Sequence, residues 1–180
     1  MAKVCTTEKT ARRQEWIEGG LLELMKEKRF EEIAVTDLCR HLELSRRSFY
    51  RYFRDLEDVL ESALNHVFQS MAMPEGLPET EEIQKNYEFW KDHRAVLDAL
   101  HRSGMLDKLY EYTYRFTSSM DIQNYLTGED RDLWQEAGQF VISGSVSLII
   151  FWYQSGFQKT PEEMARIAHR MLFSPILQKK

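Results

Sequence analysis

The sequence predicts an all-α protein of about nine helices, and three observations carry that prediction. Pro74, Pro78, Pro161 and Pro175 all fall where helices start or stop. No long alternating Val/Ile/Thr run reads as a strand. Apolar residues instead recur at three-and-four spacing, as in Ile17, Leu21, Leu24 and Met25. A chain of 180 residues accommodates one compact unit or two small ones. The stretch MPEGLPET, residues 73–80, has the densest Pro/Gly punctuation and marks a boundary. Residues 1–66 are expected to form one domain, with a connecting helix to about 73, and residues 74–180 a second.

The elements follow in order. Helix 1 spans residues 8–28, with Gly19 and Gly20 inside it at about 1 kcal/mol each, a cost that close approach of a neighbour would explain. Phe30 and Ile33 anchor the connecting turn. Thr36 offers its hydroxyl as the N-cap of a short helix to about Leu42, Ser45 caps the next helix, SRRSFYRYF, and Asp55 caps a long one. Only Glu43 and Leu44 separate the second and third helices, which makes a helix-turn-helix unit. Beyond the boundary, Thr80 caps a helix through Trp90 and another runs to His101. Ser103-Gly104 breaks the chain before a helix to about Leu126, ended by Thr127-Gly128. A helix over about 129–155 carries Phe140, Gly144, Leu148, Phe151 and Trp152 on one side and stops at Gly156. Thr160, Pro161 and Glu163 form a capping box for the last helix, whose stripe includes Met164, Ile167 and Met171.

The net charge is −5, but it is unevenly distributed. Residues 1–60 balance twelve Lys and Arg against twelve Asp and Glu, so the acidity belongs to the remainder. Between residues 40 and 54, Arg40, Arg46, Arg47, Arg51 and Arg54 are opposed only by Glu43. Phe49 and Phe53, four apart, face the core and leave Arg46, Arg47, Ser48, Tyr50 and Arg51 outward. Arginine matches guanine O6 and N7 with two parallel hydrogen bonds, and hydroxyls such as those of Tyr50 and Tyr52 reach phosphates or base edges. The N-terminal amides of the two short helices, with Thr36 and Ser45 beside them, also suit phosphate. Five arginines on an isolated helix would read as a solvated face. A capped helix, a two-residue turn and an aromatic-anchored basic helix together point to duplex DNA.

The segment IAVTDLCRHLELSRRSFYRYFRDLEDVL resembles the DNA-binding domain of the tetracycline-repressor (TetR/AcrR) family. The match rests on Thr36, Leu38, Leu42, Leu44, Ser45, FYRYF and LEDVL, and the likeness covers residues 8–66. It implies a homodimeric transcription regulator, usually a repressor, on a near-palindromic operator whose half-sites lie roughly 34 Å apart. Two positions depart from the pattern. Glu43 stands where glycine is common, so a non-glycine must turn left-handed. Leu56 stands where many members carry a phosphate-contacting lysine, a role left to Arg51 or Arg54.

FVISGSVSLIIFWYQSGFQKTPEEMARIAHRML resembles one C-terminal subgroup of the same family. That implies pairing of the last two helices across a two-fold axis, with Phe140, Gly144, Leu148, Phe151, Trp152, Met164, Ile167 and Met171 at the interface. The family resemblance also implies an inducer, here a small hydrophobic ligand. Phe89, Trp90, Met105, Leu109, Tyr112 and Phe116 supply enough apolar bulk for its pocket, and equally enough for a plain core.

Other classes find no support in the sequence. Cys5 and Cys39 have neither metal-ligand nor disulfide-framework spacing, and Cys39 reads as a small core residue. His41, His66, His93, His101 and His169 are scattered, so no metal and no other cofactor is expected. The SGS at 143–145 lacks a G-x-S-x-G frame, and no enzyme is expected. No apolar run approaches the roughly 20 residues of a membrane span. The N-terminus lacks the apolar centre of a secretion signal, which gives a cytoplasmic expectation. The competing reading is a helical protein-interaction module, or an activator that recruits a partner and has no small-molecule inducer. Steep loss of affinity with salt separates DNA binding from that alternative.

Overall fold

The computed structural model describes residues 8–71, 80–118 and 134–173. Among them lie nine α-helices, one 3-10 turn and no strand. Helices α1 (Glu8–Glu27), α2 (Val35–His41), α3 (Arg46–Phe49) and α4 (Leu56–Gln69) come first, with the turn Phe30–Glu32 after α1. They are followed by α5 (Thr80–Asp92), α6 (Arg94–Arg102), α7 (Lys108–Ser118), α8 (Trp134–Gln154) and α9 (Pro161–Phe173). No described helix is long and apolar enough to cross a membrane. Cys5, the boundary residues 73–79, the expected end of α7 and the Thr127-Gly128 stop lie outside the described residues.

Two compact units share these helices: Met1–Phe68 with Ala95–Met105, and Gln69–Arg94 with Leu106–Lys180. The segment Ala95–Met105 therefore packs with residues far from it in sequence. Buried Ser103 accounts for part of this, since its Oγ accepts the Phe30 backbone N–H at 3.0 Å and ties the 3-10 turn to the end of α6. The first unit's core gathers Ile17, Leu21 and Met25 from α1, Leu38 from α2, Phe49, Phe53, Val59 and Leu64, with Leu97 and Leu100 from α6. Each such burial is worth about 1.5–3 kcal/mol. At Gly20 a Cβ would stand 2.6 Å from the Leu42 side chain, so the glycine lets α1 meet the end of α2; Gly19 faces open space.

Helix α2 does not start as expected. Its cap is Ala34, not Thr36, which occupies the second helical position and is exposed. Ala34 has no side-chain acceptor, and the cap works in reverse: the Asp37 carboxylate accepts the Ala34 backbone N–H at 3.0 Å. That bond is the main cause holding the Asp37 carboxyl below its ordinary pKa. The helix ends with Leu44 N–H on Cys39 O at 2.8 Å and Glu43 N–H on Arg40 O at 3.2 Å. The closure places Glu43 at φ +48°, a left-handed conformation that costs an L-residue roughly 1–2 kcal/mol.

Charge is also buried where periodicity alone suggests apolar bulk. Glu18, only 4% exposed, sits on the inner stripe of α1. One of its oxygens meets His66 Nδ1 of α4 at 2.7 Å, while the other, Oε1, is buried without a partner.

In the second unit α5 lies along α9, α7 packs on α8, and α8 touches α5 and α9. Trp152, 1% exposed, meets Tyr87 edge-on at 5.3 Å and Phe157 at 4.5 Å, and its Nε1 donates to Lys159 O at 2.8 Å. Burial pushes the Tyr87 phenol up to about 12. Thr160 and Glu163 make the expected reciprocal cap, at 2.7 and 3.2 Å.

Two stability outcomes follow. His66→Ala, by stranding a buried carboxylate, should cost about 1–3 kcal/mol in urea unfolding, and Glu18→Met/His66→Leu should lose less than that single variant. Glu43→Gly should gain about 0.5–1 kcal/mol in the same measurement, because relief of the left-handed strain outweighs glycine's extra unfolded-state entropy.

Candidate nucleic-acid interface

Helix α3 is a single turn, and its start is fixed by Ser45. The Ser45 Oγ accepts the Ser48 backbone N–H at 3.1 Å and donates to the Ser48 hydroxyl at 2.9 Å. Backbone bonds from Tyr50, Arg51, Tyr52 and Phe53 keep the chain wound beyond the last helical residue. Phe49 and Phe53 are both buried, as their four-residue spacing requires, with ring centroids 6.2 Å apart. Arg46, Arg47, Tyr50, Arg51 and Arg54 consequently emerge on the exposed side, while Ser48 and Tyr52 are half-buried.

The exposed cations differ in what they touch. Arg46 donates to the Tyr50 hydroxyl at 3.3 Å, a bond that raises its pKa further and sets the guanidinium over the ring. Arg51 lies 5.9 Å from the centroid of Tyr52. Arg54 bonds Asp58 through its backbone N–H at 3.0 Å and its guanidinium at 3.3 Å. Burial raises the Asp58 carboxyl, but the bonds from Arg54 oppose it and the net pKa is below the ordinary value. Arg47 makes no hydrogen bond or ion pair to any described residue and is the cation most available to a ligand. Leu56 is buried core, and its side chain offers no polar group to a phosphate. Cys39 is buried, and burial pushes its thiol pKa up.

A groove that the sequence reading missed adjoins α3. It has a volume of about 550 Å³ and is walled on one side by Lys9, Arg12, Arg13 and Trp16 of α1, on the other by Ser48, Arg51 and Tyr52. Arg13 stacks 3.9 Å above the Trp16 ring, and Arg12 pairs with Glu8. The spacing 9, 12, 13, 16 was a visible helical face, but only the fold shows what it opposes.

The remaining expected sites divide. Phe140, Phe151 and Met171 are 80%, 66% and 55% exposed, Gly144 is exposed, and Leu148 and Ile167 are half-buried. Trp152 and Met164, expected at a subunit interface, are already covered within the chain and are unavailable to a second copy. Of the expected pocket, Trp90, Leu109 and Tyr112 are core side chains in this conformation, and Phe89, Met105 and Phe116 are half-buried. Met105 falls in the first unit and the other five in the second. No group of acidic, His or Cys side chains among the described residues is arranged to hold a metal ion.

Residues 79–174, just over half of the chain, match a TetR C-terminal family model described as "Transcriptional regulator C-terminal region". The chain belongs to the TetR family of transcriptional regulators. No curated protein matches it. Two solved structures share this fold. "Dihydroxyacetone kinase operon activator DhaS" is 12% identical, with a TM-score of 0.63 over 91% of this chain and 95% of that one. The "fatty acid degradation regulator FadR from Bacillus halodurans" is 15% identical, with a TM-score of 0.56 over 92% and 97%. The family and both neighbours are regulators, not enzymes.

Proposed function

We propose that this TetR-family regulator is a cytoplasmic homodimer that represses transcription by reading a near-palindromic DNA operator. Residues 1–66 bind the DNA, and residues 74–180 dimerise and take a small apolar ligand that releases the complex. The observation that carries the reading is Arg47, unpaired among the described residues, on the exposed side of a one-turn helix pinned by buried Phe49. Arg46, Tyr50 and Arg51 flank it, and Thr36, Ser45, Ser48, Tyr52 and Arg54 supply backbone contacts or hold the turn. The exposed apolar residues Phe140, Phe151 and Met171 on α8 and α9 support a second copy as partner. Ligand control requires that the ligand prefer a conformation whose two reading helices are wrongly spaced for the operator.

A second reading concerns only the sign of regulation. DhaS is named as an operon activator, so activation by recruiting a partner fits the same fold. Transcription from an operator-bearing template, run with and without the protein, separates the two signs.

Selection of binding sites from a random duplex pool at physiological salt should enrich a near-palindrome, and a folded protein that enriches nothing overturns the proposal. On the selected site, Arg47→Ala should weaken binding by about 1–3 kcal/mol and relax preference at one base pair. Phe151→Glu should yield a folded monomer in sedimentation with strongly reduced operator affinity. A variant that stays dimeric, or a monomer that binds as tightly as the parent protein, excludes α8 pairing as the basis of recognition.

A further inference from the structure

We infer that the groove between α1 and α3 holds the sugar–phosphate backbone of one DNA strand beside the bases that α3 reads, so that α1 is part of the DNA-binding surface. The inference rests on the proposed DNA-binding reading and assigns Lys9, Arg12, Arg13 and Trp16 a role in it.

Lys9, Arg12, Arg13 and Trp16 recur at i, i+3, i+4 and i+7 and share one face of α1. The opposite face carries Gln14, Ile17, Glu18, Leu21 and Met25 and is buried. The outward face is therefore not an accident of a charged helix: its four side chains line one wall of a groove whose other wall is α3 and the turn after it. Four of the seven lining residues are cations and none is a carboxylate. The neighbouring carboxylate, Glu8, pairs with Arg12, which leaves Lys9, Arg13 and Arg51 as the groove's cations with no ion pair among the described residues. In a chain of net charge −5, such a concentration selects an anion.

The hydroxyls favour phosphate in particular. Ser45 donates to the Ser48 oxygen, so the Ser48 hydroxyl keeps its own proton to give to a ligand. Tyr52 brings a second hydroxyl, and Trp16 and Tyr52 supply flat apolar faces of the kind that lie against deoxyribose. Arg13, stacked on Trp16, is held in place and loses little freedom on binding. Continuity decides between a DNA strand and a free anion: Ser48, Arg51 and Tyr52 belong at once to this groove and to the reading element, so a duplex that meets Arg47 brings its backbone past α1.

The test uses the full-length protein and the duplex recovered by selection. Ethylation interference on the parent protein should mark phosphates outside the base pairs whose identity matters. Lys9→Ala/Arg13→Ala should erase those marks, lower the slope of log affinity against log salt by about two, and leave base preference unchanged. Lys9→Arg/Arg13→Lys should keep marks and slope. No interference beyond the read bases, or an unchanged salt slope in the alanine pair, overturns the inference while Arg47 dependence leaves the DNA reading standing. A parent protein that binds no selected duplex overturns both.

Discussion

The seating of Phe49 is the constraint on which the proposed reading surface depends. A four-residue helix has no stability of its own, since nucleation fixes several dihedrals for one hydrogen bond. Here the turn persists because Phe49 and Phe53 are sunk in the core of the first unit, Ser45 closes its start, and Leu44 N–H closes the end of α2 behind it. With Phe49 fixed, the rotation of the turn is fixed as well. Arg46 and Tyr50, four apart, then lie side by side on its exposed surface, and Arg47 stands clear of both. The strained Glu43 belongs to the same device: the left-handed residue lets α3 follow α2 after only a few residues.

Much of this was legible because it is local. Ser45, Asp55 and Thr160 cap their helices through residues three positions on, and Phe49 and Phe53 bury as their spacing demands. Misplaced residues depend on information that periodicity does not carry. Ala34 caps α2 because Asp37 reaches back to the backbone, so the first hydroxyl in the segment, Thr36, was the wrong signal. Helix α8 is apolar on nearly every side, and its pattern cannot say which side is inner. Packing against Tyr87 and Phe157 chooses Trp152 for the interior and leaves Phe140 and Phe151 outside. Glu18 is buried by virtue of a histidine 48 positions away, and α6 joins the first unit through contacts that no Pro/Gly punctuation announces.

The acidic balance of the chain does not oppose the proposed DNA contact. At physiological ionic strength, charges separated by more than about 8 Å are largely screened from one another. The excess Asp and Glu lie beyond residue 60, whereas Lys9, Arg12, Arg13, Arg46, Arg47 and Arg51 lie on the groove and the reading turn. The sign of a close contact at this patch is set by the six cations it carries rather than by the net charge of the chain.

A one-turn reader also sets a limit on what a single copy can specify. In the proposed DNA contact Arg46, Arg47 and Tyr50 are the side chains of α3 and its end that would face base edges, and a good bidentate pair discriminates by about 1–3 kcal/mol. Two or three such contacts give about 2–9 kcal/mol, against the roughly 4–10 kcal/mol that separates specific from nonspecific sites. Phosphate contacts from α1 would add affinity and register but no sequence information. A second reader at fixed spacing would double that contribution, which is what the proposed dimer supplies. The apolar side chains left exposed on α8 and α9, Phe140, Phe151 and Met171, are the feature of the described fold best suited to supply it. On this reading the smallness of α3 and the exposure of α8 belong together: a short reading helix gains most from a second reader, and the uncovered face is where the proposed second copy would sit.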